Sequence, residues 1–234
     1  MFKLAFPKRT AAAETQIESP IDRYRRIRLR VSELQSVIAR TLGRDGFKSS
    51  AKALGMVTHK TIVFDSEAEM TLLMDYAIYN HRAHDGLTPV RRYFRHHPAA
   101  PQHEDHAVAQ AMLNATHRIV RIDRCVPDAG VDVTDVLTRG SFHLTDLSMS
   151  HHAAEGGVLG VRTLYFDDMA MTTGAGVPLL PETIDELLHI AETIVHRSAD
   201  PSRHKEDPAE FSTAVLKAAI RTGATAWIGY QEPK

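Results

Sequence analysis

Residues 117–179 constrain the fold most, because turn-forming residues divide this stretch into short segments rich in β-branched and other apolar side chains. The separating segments are residues 127–130, 138–140, 155–157 and 167–168. They leave five predicted strands, at residues 118–126, 131–137, 141–149, 158–166 and 169–178. Short strands with tight connections are typical of an antiparallel meander, which must close into a barrel or be covered by helices. Alternation within the strands predicts six inward-facing side chains: Val120, Ile122, Val131, Val133, Phe142 and Leu144.

The segments on either side of this stretch carry helical signals. Apolar residues recur at steps of three and four from Tyr24 to Leu42, which predicts one helix that starts near Pro20 and ends near Gly43. Ser66 with Glu69 three residues later forms a capping box and predicts the start of another helix. Further helices are predicted at residues 48–56, 88–97 and 104–114, after Pro181, and after the Asp207-Pro208 pair.

These patterns together predict an α+β protein. Its helical N-terminal half is followed by a five-stranded antiparallel barrel-like or curved sheet, flanked by C-terminal helices. The predicted divisions are a flexible tail (1–19), a basic helical arm (20–60), a helical subdomain (61–115), an antiparallel β subdomain (116–180) and the C-terminal helices (181–234).

The net charge of −1 hides a strong asymmetry along the chain. Residues 1–60 hold 13 Lys and Arg against 5 Asp and Glu, a balance of +8, and the remaining residues hold 15 against 24, a balance of −9. A basic arm of this kind needs an acidic partner, which is either nucleic acid, a second copy, or the acidic body of the same chain. The single cysteine, Cys125, and the lack of an apolar run long enough to span a bilayer favour a cytoplasmic protein that binds no membrane.

Several sequence blocks resemble a family of uncharacterised bacterial proteins. The first block comprises residues 54–56, 61–67, 69–70 and 73–76, which contain the letters LGM, TIVFDSE, EM and LMDY. Arg92-Tyr93 and the MTTGA segment at residues 171–175 fit the same family pattern. The resemblance covers residues 50–180 and implies one evolved bacterial domain, without an assigned activity.

The predicted N-terminal helix offers two surfaces for a partner. Arg25, Arg26, Arg28 and Arg30 surround its first half and are candidates for contact with a phosphate backbone or another partner. Its apolar seam is a candidate surface for self-association, formed by Ile27, Val31, Leu34 and Ile38. A helix-turn-helix over residues 51–62 is a weaker alternative, since that segment lacks the arginine and amide side chains that recognise base edges.

Six histidines between residues 81 and 106 are the candidates for metal binding. His81 with His84, and His103 with His106, have a spacing that places two imidazoles on one helix face, as zinc and iron sites need. The sequence has no His-Glu-x-x-His motif and no cysteine pair, so the pattern is also that of solvated surface histidines.

No residue pattern matches a known catalytic arrangement, so we predict no catalytic residue and no cofactor. We expect a non-catalytic binding or regulatory protein that acts through a protein partner or through self-association. The first alternative is a DNA- or RNA-binding regulator that uses the basic N-terminal helix. The second is a metal-dependent enzyme that holds a divalent metal at the histidine cluster.

Overall fold

The computed structural model describes residues 18–198 and 209–227. Its α-helices are α1 (Pro20–Arg40), α2 (Gly43–Leu54), α3 (Glu67–Tyr79), α4 (Pro89–His96), α5 (Glu104–Leu113), α6 (Leu147–His152), α7 (Pro181–Ser198) and α8 (Ala209–Arg221), followed by a 3₁₀ helix (Ala224–Trp227). Its strands are β1 (Val57–Thr58), β2 (Thr61–Ile62), β3 (Thr116–Val126), β4 (Gly130–Asp135), β5 (Ser141–Leu144), β6 (Val158–Tyr165), β7 (Ala170–Thr172) and β8 (Val177–Pro178). Most of the predicted tail and the predicted start of α8 at residues 207–208 lie outside the described residues.

The sheet is a closed five-stranded barrel. Its strands follow the order β3, β4, β5, β7 and β6, and β6 pairs back onto β3 over six residue pairs to close the ring. The α+β class is therefore confirmed, and every barrel pairing except one is antiparallel.

The prediction of an entirely antiparallel sheet is wrong, because β5 and β7 run parallel. The strand predicted through Met149 ends at Leu144, and Asp146 then caps the short helix α6, which interrupts the strand region. The chain returns along β3 as β6, and β7 turns back to fill the gap between β6 and β5. This order makes β7 parallel to β5.

The last predicted strand is two short strands in the structure. β7 and β8 pair with different parts of the same edge of β6, and Gly174 lies between them with a φ of +103°. An L-residue rarely adopts that backbone conformation, so the glycine makes the break in the strand possible.

Three hydrophobic clusters fill the described part of the fold, one of them among α2, α3, α7 and α8. The barrel interior contains five of the six predicted inward side chains, Val120, Ile122, Val131, Val133 and Leu144, while Phe142 is only partly buried at the edge of this cluster. Around the barrel, α1 packs its apolar stripe against residues of α3, α4 and α5.

The apolar seam of α1 belongs to the chain's own core. Ile27, Val31, Leu34 and Ile38 are between 0% and 5% exposed, which corrects their assignment as a self-association surface. A second copy cannot reach these side chains while α1 stays docked, so any surface for self-association must lie elsewhere.

The segment considered as a helix-turn-helix instead contains a β-hairpin. β1 and β2 pair antiparallel, and the two residues between them, His59 and Lys60, have φ angles of 49° and 69°. Two successive residues with positive φ match the turn whose twist suits a two-residue hairpin. The segment therefore provides no recognition helix.

The predicted capping box at the start of α3 is present with one change. The Ser66 hydroxyl accepts a hydrogen bond from the Glu69 N–H at 3.2 Å, and the Glu69 carboxylate accepts one from the Asp65 N–H at 2.8 Å. The glutamate thus reaches one residue further back than in the usual box.

No helix within the described ranges is both long and apolar enough to cross a lipid bilayer.

Helix α8 packs closely on the barrel at Gly160. A Cβ added at this residue would lie 2.4 Å from Val215 Cγ1 and 3.2 Å from Val177 Cγ2, so α8 sits directly on the backbone of β6. Only a residue without a side chain fits between the strand and the helix.

We predict that Gly160→Ala lowers the free energy of unfolding by about 1–3 kcal/mol, because the added methyl group overpacks the contact with α8. Gly140→Ala is the matched control, since its added Cβ meets nothing closer than Thr138 Oγ1 at 3.5 Å. Urea unfolding of both variants measures the difference. Equal losses at the two positions would contradict the close packing of α8 on β6.

Candidate functional site

The α1 arginines proposed as nucleic-acid contacts are paired with carboxylates of the same chain. Arg26 binds Glu18 and Glu104, and Arg30 binds Asp105 through two hydrogen bonds of 2.7 and 2.9 Å. Arg25 lies 3.3 Å from Asp22, one turn earlier on the helix. The basic arm thus docks on acidic residues of its own chain, which was one of the partners open to it.

Arg28 has a different role, because it points toward the barrel. Its Nη1 donates to the Thr172 carbonyl at 2.6 Å, and its Nη2 donates to the Asp146 carboxylate at 3.0 Å and to the Thr172 hydroxyl at 3.1 Å. Asp146 follows β5 and Thr172 ends β7. Arg28 therefore ties the two strands of the parallel seam, where the sheet has only one residue pair, Leu144 with Ala170.

The four candidate metal-binding histidines lie in different surroundings. His103 caps α5 by accepting the Asp105 N–H at 3.2 Å, and His106 Nδ1 lies 3.4 Å from the Ala99 carbonyl oxygen. His81 is half-buried, and burial lowers the pKa of its imidazole, while His84 is exposed. Among the described residues, no three His, Cys, Asp or Glu side chains are placed to hold one metal ion.

A small concavity, which we call the arginine pocket, lies where α3 ends, α4 begins and α5 leads into β3. Its volume is about 120 Å³. Three chain segments line it, contributing Tyr79 and Arg82; Thr88, Val90 and Arg91; and Met112, Leu113, Asn114, Ala115 and Thr116. The described residues that line it include two arginines and no carboxylate.

The electrostatics of the arginine pocket are one-sided. Thr88 caps α4, and its hydroxyl accepts the Arg91 N–H at 3.4 Å, so Arg91 sits in the first turn. A cation there opposes the helix dipole, whose N-terminal end is positive. Within residues 18–198 and 209–227, the Arg91 guanidinium has no hydrogen-bond or ion-pair partner, although it is half-buried. An anion in the pocket would compensate this unbalanced positive charge.

Arg92, the next residue along α4, has the carboxylate partner that Arg91 lacks among the described residues. Arg92 forms a two-pronged ion pair with Asp85, at 2.7 and 3.0 Å. Hydrogen bonding from Arg92 lowers the pKa of the Asp85 carboxyl to about 2, so this carboxylate stays charged and occupied by Arg92.

Tyr79 connects the arginine pocket to a buried polar network. The guanidinium of Arg162 lies 4.9 Å from the centre of the Tyr79 ring, a cation–π contact. The Tyr79 hydroxyl accepts a hydrogen bond of 3.4 Å from Gln35 on α1, and burial, with the nearby Asp75 charge, raises the pKa of this phenol. One face of the pocket is therefore held by a residue that is itself fixed from α1 and β6.

The centre of the network is an ion pair between Arg162 on β6 and Asp75 on α3. Arg162 Nε donates to Asp75 Oδ2 at 2.9 Å, and the two residues are 1% and 4% exposed. The Thr173 hydroxyl donates to the other Asp75 oxygen at 2.7 Å, and Asn80 accepts a hydrogen bond from the guanidinium. A buried charge pair of this kind is favourable only when its remaining hydrogen-bonding groups are satisfied, as they are here.

His117 completes the network in its neutral form. Its Nδ1 accepts from Arg162 Nη2 at 3.4 Å, which places the ring proton on Nε2. Burial, reinforced by the Arg162 charge, holds the pKa of His117 well below its usual range. In the described part of the chain, Nε2 of His117 has no hydrogen-bond partner, so one buried donor next to the ion pair is left unsatisfied.

Sequence reasoning predicted neither this network nor the arginine pocket. Asp75, Thr172 and Thr173 lie in the blocks that carried the family resemblance. Arg82 and Arg91 were not singled out. Three arginines within residues 91–95, with no carboxylate among them, were the available signal.

A family model described as a family of unknown function (DUF7986) matches residues 18–213. The chain belongs to this family. The match confirms the predicted resemblance, and the part of the chain shared with DUF7986 contains α1, the arginine pocket and the whole barrel. A search of curated proteins and a search of solved structures gave no significant match.

We predict that Asp75→Leu or Arg162→Met alone lowers the free energy of unfolding of this DUF7986 protein by about 3–5 kcal/mol, because each leaves an unpaired buried charge. The double variant, which removes both charges, should lose much less than the sum of the two single losses. Urea unfolding of the four proteins gives the coupling free energy. Additive losses would show that the pair does not act as a unit.

Proposed function

We propose that this chain is a non-catalytic binding protein that holds an anionic group in the arginine pocket. The observation that carries the proposal is Arg91, a half-buried guanidinium in the first turn of α4 without a partner among the described residues. Arg82 lines the same concavity, and none of the described lining residues is acidic. A volume of about 120 Å³ suits a single phosphate, sulfate or carboxylate group.

The chemistry of the arginine pocket favours a phosphate group. A guanidinium presents paired N–H donors that match the oxygens of a phosphate or carboxylate. The Asn114 amide adds a polar group to the wall, while Val90 and Met112 provide apolar surface that limits water around the charges.

We predict that inorganic phosphate raises the unfolding temperature of the wild-type protein more than chloride does at equal ionic strength. Arg91→Gln should lower the affinity for phosphate about tenfold, since it removes a charge-assisted hydrogen bond. Titration calorimetry and thermal unfolding measure both effects. Arg25→Gln is the matched control, because Arg25 is an exposed arginine already paired with Asp22 on α1. An unchanged phosphate affinity in Arg91→Gln would overturn the assignment of the pocket.

Self-association is a second candidate function, and a groove between α7 and α8 favours it. The groove has a volume of about 410 Å³, and its floor includes Leu54, Ile190, Ala214 and Ala218. Its rim carries Glu186 together with Lys217 and Arg221. Glu186 and Arg221 already pair with each other at 2.8 Å, so the apolar floor is the feature that favours a contact between two copies.

We predict that Ala214→Arg lowers the concentration-dependent mass measured by light scattering, because the long side chain fills the groove. His189→Arg is the control, since His189 is exposed on α7 and does not line the groove. Circular dichroism of both variants confirms that the fold is kept. A wild-type protein that stays monomeric at high micromolar concentration contradicts this second candidate.

A further inference from the structure

The outer face of α4 carries several cations, two of which have no partner among the described residues. Arg91, Arg92, Arg95 and His96 lie on the half of the helix opposite to the buried Pro89, Val90 and Phe94. Arg92 has its partner in Asp85, whereas Arg91 and Arg95 have none among the described residues. This arrangement is the reverse of α1, where Arg25, Arg26, Arg28 and Arg30 are all engaged.

The pairing of α1 also explains why α4 stays basic. Glu104 and Asp105 begin α5, the helix that follows α4 and packs beside it. Both carboxylates are taken by α1, Glu104 by Arg26 and Asp105 by Arg30. These two carboxylates are thus engaged by α1 and Asp85 is engaged by Arg92, so none of the three is paired with Arg91 or Arg95.

We propose that α4 is a surface for the phosphate backbone of nucleic acid. In this proposal, which rests on the proposed function, the arginine pocket takes one phosphate and Arg95 takes the next but one on the same strand. Arg91 and Arg95 are one turn apart, about 6 Å along the helix axis. This distance is close to the axial rise over two phosphate steps along one strand of duplex DNA, about 3.4 Å for each step.

The surface fits nucleic acid better than an acidic protein. A protein interface needs an apolar centre surrounded by a polar rim. The large apolar side chains exposed on the described part of the chain are Leu29, Val37, Val63, Met70, Leu137 and Tyr165, and none of them lies on α4. A backbone of phosphates, in contrast, is bound by charge alone and needs no apolar contact.

Binding of this kind depends on salt and not on sequence. Two cations without a partner among the described residues contact phosphates in the proposal, Arg91 and Arg95. The logarithm of the association constant should therefore fall with the logarithm of salt concentration with a slope of about −1.8. Raising sodium chloride threefold should weaken binding roughly sevenfold by the same relation.

Fluorescence polarisation with a labelled random-sequence DNA duplex of about 20 base pairs, a length on the scale of known binding sites, tests the proposal. Arg95→Gln should weaken duplex binding and reduce the salt slope by about 1, and it should leave inorganic phosphate binding unchanged. Arg91→Gln should weaken the binding of both the duplex and phosphate. Arg25→Gln, which removes an equal charge from α1, should change neither. Thermal unfolding of each variant confirms that the fold is intact.

The outcomes separate this proposal from the proposed function. Phosphate binding without duplex binding keeps the arginine pocket as an anion site and overturns the role of α4. If Arg25→Gln weakens duplex binding as much as Arg95→Gln does, the duplex responds to the general positive charge of the protein. That result also overturns the role of α4. Tighter binding of a polyglutamate peptide than of the duplex identifies an acidic protein as the partner. Absence of binding to both phosphate and duplex ends both proposals.

Discussion

The buried ion pair between Arg162 and Asp75 is the interaction on which the arrangement of helices around the barrel depends. It joins the middle of β6 to the middle of α3 where water cannot screen either charge. Removing two ions from water is costly, so α3 can dock on the barrel only in the position that brings carboxylate and guanidinium together. Thr173 donates to the Asp75 carboxylate and Asn80 accepts from the Arg162 guanidinium, which restricts the position of α3 on the barrel further. A purely apolar contact would permit more than one register between helix and sheet.

The same ion pair positions the candidate site. Because Arg162 stacks on the Tyr79 ring, the end of α3 is held at a fixed distance from the start of β3, and the arginine pocket forms between them. α1 contributes from the far side through Gln35, which binds both the Tyr79 hydroxyl and the Thr173 carbonyl. The concavity thus belongs to a rigid junction of three helices and the barrel, which suits a site that binds without large conformational change.

Local sequence signals predicted the elements of this fold well, and their long-range arrangement poorly. Turn residues between the strands, the Ser66 cap and Pro89 all act within a few residues, so the strands and helices could be located from them. The parallel pairing of β5 with β7 depends on which strands become neighbours in the ring, and no local pattern encodes that. The candidate site divides in the same way. The cationic character of α1 is visible in the sequence, but its pairing with Glu104 and Asp105 joins residues about 75 positions apart. Without that pairing, the free cations of α4 could not be distinguished from the engaged ones of α1.

Arg28 binds residues on both sides of the parallel seam, so the attachment of α1 and the closure of the barrel depend on each other. The ring has its fewest residue pairs between β5 and β7, and the guanidinium that spans this point comes from α1. Release of α1 therefore loosens the ring, and opening of the ring removes the anchor of α1. The amide protons of the sheet should therefore exchange with solvent faster when α1 is released from the barrel. Because ion pairs weaken in concentrated electrolyte, salt as well as heat would set how often the ring opens.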